Sequence, residues 1–161
     1  MFDMISDEPG FKAKRIEAKY KAREECGLEE IRLDDIYRYL PGYDPAVEIA
    51  KEMEVCYANP EALHFYNELK AAGGRMIIVS DMYLSCDTIS AILLKCGYDL
   101  GGVKVYVSSE YGKTKKSGNL FREVMREQGT ENILHIGDHI ISDYVRPKQV
   151  GMKGVLYGKR M

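Results

Sequence analysis

After residue 74 the chain alternates short apolar runs with stretches of helical character, and that alternation restricts the fold more than any other feature. The runs are "MIIV" at 76–79, "VKVYV" at 103–107, "ILHI" at 133–136 and "GVLY" at 154–157. Between them lie "CDTISAILLKCG", "SGNLFREVMREQG" and a stretch after Asp143, which read as helices. Strands that alternate with helices pair in parallel through helical crossovers. Runs that are apolar on successive residues suit strands covered on both faces. The expected architecture is therefore α/β, a parallel sheet with flanking helices, with ligands at the carboxyl ends of the strands. Pro147 removes a donor and crowds the carbonyl of Asp143, so the last helix should be short or kinked.

Residues 10 to about 58 carry helical signals only. "FKAKRIEAKYKAREECG" is rich in helix formers and should stop at Gly27. "RLDDIYRYLPG" can start at Asp34 and must end before Pro41. "YDPAVEIAKEMEVCY" offers Asp44 as N-cap and Pro45 at the first helical position, with Val47, Ile49, Ala50 and Met53 at helical spacing. "NPEALHFYNELKAAGG" repeats the device with Asn59, Pro60 and a closing Gly73. Two regions are expected: 1–58, helical, and 59–161, strands alternating with helices.

With 161 residues, 45% of them hydrophobic, the chain can bury one core with a small accessory element. Lys and Arg number 23 against 25 Asp and Glu, and neither sign forms a block, which argues against nucleic acid or anionic lipid as partners. The cysteines Cys26, Cys56, Cys86 and Cys96 form no CxxC pair, so reduced buried thiols are expected rather than a zinc set. "MFDMISDEPGF" lacks the basic start and apolar middle of a signal peptide, and no apolar run approaches a membrane span. The reading is a cytoplasmic, soluble chain.

Polar residues gather at three strand ends. Ser80 and Asp81 follow "MIIV"; Lys113, Lys115 and Lys116 lie after "VKVYVSSEYG"; Asp138 and Asp143 follow "ILHIG", with Gly137 allowing a sharp turn. A hydroxyl, an ammonium and an acid pair at successive strand ends suit a phosphoryl group and Mg²⁺, since the acids favour a hard cation while hydroxyl and lysine favour phosphate oxygens. With these residues the chain resembles the haloacid-dehalogenase-like superfamily of phosphohydrolases, a Rossmann-like fold. "MIIVS" looks like its second motif, "KKSGNLF" its third and "IGDHIISD" its fourth, the GDxxxxD acid pair. The resemblance covers 60–157, and the preceding helices look like the superfamily's small helical cap. Runs such as "VSDMYL", "SSEYGKT" and "ILHIGD" resemble members found beside or fused to glycosyltransferases.

The resemblance implies that Ser80 donates to a phosphoryl oxygen, that Lys115 neutralises nucleophile and phosphate charge, that Asp138 and Asp143 position Mg²⁺, and that Asp81 supports the site. Lys115 is favoured because the family's lysine stands six residues before an aromatic, here Phe121; Lys113 is the fallback. It implies a small phosphorylated substrate, a sugar phosphate by the glycosyltransferase likeness. The family's nucleophile, an aspartate in a DxD motif on the first and central strand, has no counterpart: Asp3 and Asp7 are four apart and only two residues precede Asp3. The expectation is a phosphohydrolase lacking that strand, as in an N-terminally truncated form, and inactive as it stands. The alternative is a non-catalytic module that binds a phosphorylated ligand or a protein. The resemblance places the absent strand between "MIIV" and "ILHI", whose open edges would invite strand exchange with another chain, and the glycosyltransferase likeness implies association with such an enzyme.

Overall fold

The computed structural model describes residues 5, 6 and 8–158; Asp3 and Asp7 lie outside them. Four helices come first: α1 Phe11–Glu25, α2 Leu33–Tyr37, α3 Pro45–Val55 and α4 Pro60–Ala71. Then follow β1 Ile77–Ser80, α5 Cys86–Lys95, β2 Lys104–Val107, a single turn α6 Ser108–Tyr111, α7 Asn119–Gln128 and β3 Leu134–Gly137. The chain closes through a π-helical segment, Ile140–Val145, a turn α8 Arg146–Gln149 and β4 Lys153–Leu156.

Local chemistry sets the starts of α3, α4 and α5. Asp44 accepts from the Ala46 N–H at 2.8 Å, Asn59 accepts from Glu61 and Ala62, and Ser85 accepts from Thr88 at 3.2 Å. Two boundaries depart from expectation. Helix α1 ends at Cys26, whose backbone is extended, so Gly27 is not its cap. Helix α2 starts before Asp34, because the Asp35 carboxylate takes the Arg32 N–H at 2.9 Å and fixes Arg32 as the cap. Pro147 acts as expected: the segment from Ile140 is a π-helix that gives way to four α-helical residues with Pro147 in their first turn.

The first buried cluster joins the two regions. Ala18, Ala22, Ile31, Ile36 and Leu40 of the helical region pack with Tyr83 and Leu84, which follow β1. Beside it, the fully buried Arg15 meets the fully buried Glu48 through two hydrogen bonds of 2.7 Å. Tyr37 and Tyr83 donate their hydroxyls to the same carboxylate at 2.9 and 3.0 Å. The inward face of α3 is thus Glu48 and Glu52, whereas Val47 and Ala50, expected inside, are exposed. Glu48 thus accepts four hydrogen bonds, and a buried carboxylate needs its lone pairs filled in this way, since either charge alone in the interior is costly.

The strands form two parallel pairs. Ile77, Ile78, Val79 and Ser80 of β1 face Lys104, Val105, Tyr106 and Val107 of β2; Leu134, His135, Ile136 and Gly137 of β3 face Lys153, Gly154, Val155 and Leu156 of β4. In place of one continuous sheet, β1 and β3 each pair on one side only among the described residues. Both line a single cavity of about 1640 Å³, into which α4 also presents Phe65 and Leu69. The strands are therefore less covered than their apolar runs suggest. All of β1 is half-buried, and Leu134, Val155 and Leu156 are exposed. The four cysteines are half-buried thiols. No helix among the described residues is long and apolar enough to cross a membrane.

Candidate phosphoryl-binding site

Three chain segments meet at the carboxyl ends of β1 and β3. Ser80 ends β1, and the next residue, Asp81, accepts the Lys115 N–H at 2.7 Å. The Lys115 ammonium extends the other way and donates to Asp143 Oδ1 at 2.7 Å. Asp143 is buried and its second oxygen accepts the His139 N–H at 3.0 Å. One lysine thus links the ends of the two strand pairs.

Gly137 is what admits Asp143 to this position. A Cβ there would meet the Asp143 carboxyl carbon at 2.5 Å, well inside contact distance, so only glycine lets the carboxylate lie on the strand end. His135, on the same face of β3 as Gly137 by strand alternation, reaches Asp143 Oδ1 through Nε2 at 2.9 Å. Its ring stands edge-on to the buried Phe121, centroids 4.8 Å apart, which fixes its direction.

The lysine loop is held from the helical region. Glu29, between α1 and α2, accepts from the Thr114 N–H at 2.9 Å, from the Ser117 hydroxyl at 2.5 Å and from the Asn119 side-chain amide. Gly118, at φ +87°, carries the loop into α7, and a Cβ there would meet Val150 at 2.8 Å. Of the three lysines, Lys115 faces the strand ends, Lys113 pairs with Glu123 and Lys116 is exposed.

The two strand-end aspartates behind Lys115 are tuned in opposite directions. Burial would raise Asp143, but hydrogen bonds from His135 and Lys115, the Lys115 charge and the His139 amide outweigh it and hold the carboxyl far below the usual range. For Asp81 burial wins: its carboxyl lies above the usual range despite the Lys115 and Lys116 amides and the Lys115 charge. Asp143 is therefore a firm anion at neutral pH.

The structure brings together Asp81, Lys115 and Asp143, and sets Ser80 one residue from Asp81. Asp138 is exposed and lines the cavity beside β3. His135 and Glu29 were not among the residues expected from sequence; a histidine two residues before the glycine of a strand end carries the signal for the first, whereas nothing local marks Glu29. As a cation site, the arrangement offers carboxylates, the right donor chemistry for Mg²⁺. Both Asp143 oxygens already accept hydrogen bonds, and no group of three His, Cys, Asp or Glu converges as a ligand set among the described residues. Comparison with protein-family models and with curated proteins finds no match to this chain.

Proposed function

We propose that the chain carries the phosphoryl-binding part of a Mg²⁺-dependent phosphohydrolase site of haloacid-dehalogenase-like kind, for a small phosphorylated metabolite such as a sugar phosphate. The observation that supports this best is Lys115, anchored at its backbone by Asp81 and at its ammonium by Asp143. An ammonium fixed in this way at converging strand ends is preorganised for an anion. In this reading the Ser80 hydroxyl donates to one phosphoryl oxygen while Lys115 neutralises another. His135 and Asp143 keep the lysine aimed, and Asp138 would hold Mg²⁺, which when bound supplies positive charge to the transferring group. No DxD sequence supplies an attacking carboxylate, so the 161-residue chain is expected to bind phosphate without turning a phosphomonoester over.

The engagement of Asp143 by Lys115 and His135 favours a second reading, a non-catalytic module that uses the same residues to hold a phosphorylated ligand. Calorimetric titration with inorganic phosphate, with and without Mg²⁺, tests what the two share. Binding that weakens at least about tenfold in Ser80→Ala and Lys115→Met, with unchanged circular dichroism, is expected. Wild-type affinity in both variants would sink the site. Hydrolysis of a small phosphomonoester by the 161-residue chain, lost in Asp138→Asn, would overturn the reading that the chain lacks an attacking group.

A further inference from the structure

Residues 112–119 form the loop that delivers Lys115, and a glycine with left-handed backbone stands near each end, Gly112 at φ +60° and Gly118 at φ +87°. Glycines of this kind give a loop wide conformational freedom, so its shape has to be imposed by contacts. Asp81 fixes one point, the Lys115 N–H. Asp143 meets only the far end of the flexible lysine stem.

Glu29 of the helical region grips the same loop at its start, middle and end. Its N–H donates to the Gly112 carbonyl at 3.1 Å. Its Oε2 accepts the Thr114 N–H at 2.9 Å and the Ser117 hydroxyl at 2.5 Å, and its Oε1 accepts the Asn119 side-chain amide. The Ser117 hydroxyl in turn accepts the Asn119 N–H at 3.1 Å, so the carboxylate also fixes the first residue of α7. Thr114 and Lys115 are consecutive, and their two amides go to carboxylates from different regions of the chain, Glu29 and Asp81. Burial works to raise the Glu29 carboxyl, but the bonds from Ser117, Thr114 and Asn119 outweigh it and keep the group an anion at neutral pH.

We propose that Glu29 is the positioning residue of the anion site: without touching the ligand, it holds the Lys115 loop in the shape that aims the ammonium at Asp143 and at a phosphoryl group. For its effect on affinity the assignment rests on the reading of Lys115 as a phosphate ligand; the aim of the lysine is a property of the chain alone and is read without phosphate. The sign of the effect separates a clamp from a charge. As a charge, Glu29 repels an incoming anion, and its removal strengthens binding. As a clamp, its removal weakens binding, because a loose lysine must then be ordered when phosphate arrives. Glutamine keeps an oxygen for Thr114 and Ser117 while dropping the charge, so Glu29→Gln separates the two roles.

The test is NMR of the Lys115 side-chain ammonium in the phosphate-free 161-residue chain, assigned with Lys115→Met, followed by calorimetric titration with inorganic phosphate. Ammonium protons exchange slowly with water only where hydrogen bonds hold the group. The expected result is a held Lys115 ammonium in the wild type and in Glu29→Gln, with exchange at least about tenfold faster in Glu29→Ala. Phosphate affinity should be unchanged or higher in Glu29→Gln and at least about fivefold lower in Glu29→Ala. Ser117→Ala takes one donor from the clamp and leaves the helical region intact; it should change both readouts in the same direction by at least about twofold, which keeps the test open if Glu29→Ala does not fold. Asp44→Ala, a cap change on α3, should alter neither. An unheld ammonium in the wild type, an unchanged one in Glu29→Ala, tighter phosphate binding in that variant, or an equal loss in Asp44→Ala would each overturn the proposal. A held ammonium released by Glu29→Ala in a chain that binds no phosphate supports the positioning role and sinks the phosphate reading of Lys115 instead.

Discussion

The helical region and the strand region solve opposite problems. Around α1, α2 and α3 even a full charge pair is enclosed, with two tyrosines completing the coordination of Glu48. Among the strands, residues with every apolar credential remain half-buried because two edges border a cavity and, among the described residues, have no strand beside them. Packing quality here does not follow hydrophobicity. It follows whether each element finds all of its partners, which a salt bridge in the first region does and an isoleucine strand in the second does not.

The sharpest way to break this contrast is at Glu48. Glu48→Gln leaves the Arg15 charge buried without its anion and should destabilise the fold by about 3–5 kcal/mol in urea denaturation. Replacing both partners together, Arg15→Met with Glu48→Leu, should recover most of that loss. A small effect of the single change would mean that the helical region is less closed than its geometry implies.

In the strand region the corresponding change is Asp143→Asn, which removes the anion shared by Lys115 and His135 and should cost about 2–3 kcal/mol. The pH dependence carries the same information. Because the folded carboxyl lies below its unfolded value near 3.9, its contribution is complete above about pH 4 and is lost as pH falls further. The wild-type stability curve should therefore drop through that acid range more steeply than the Asp143→Asn curve.

Smaller effects sharpen the picture. Asp44→Ala removes one N-cap acceptor from α3 and should cost about 1 kcal/mol, far less than Glu48→Gln on the same helix. Asp81→Asn should have the opposite sign to Asp143→Asn. Burial holds the Asp81 carboxyl above its usual range, so ionisation works against folding as pH rises from about 4 through that raised value. An amide keeps the acceptor for Lys115 without that penalty, and stability at pH 7 should be unchanged or higher by less than about 1 kcal/mol.

What was legible in the sequence divides along physical lines. Strand positions could be read to within one residue because four-residue apolar runs have few other uses, and the caps at Asp44 and Asn59 could be read because capping is a local interaction. The lysine that reaches Asp143 could also be singled out. The inward face of α3 could not, since Glu48 is buried on the strength of Arg15, 33 positions away, and periodicity weighs only the helix's own residues. Glu29 was hidden for the same reason: its partners at 114, 117 and 119 meet it only in the folded chain. The open edges of β1 and β3 among the described residues agree with what the family resemblance implied, whereas the lysine strut between the strand ends was not foreseen.

One contact described above has a mechanical meaning. Tyr83 stands two residues after Asp81, yet its hydroxyl is fastened to Glu48 and its carbonyl accepts the Leu33 N–H at 2.9 Å. The Met82 N–H between them is held by Ser108 at 2.8 Å. The loop that leaves β1 is thus geared to the helices rather than hinged beside them. Within two peptide units of the carboxylate that carries Lys115, the backbone is thus tied to α2, α3 and α6, so the Lys115 loop takes its position from the helical layer as well as from the strands.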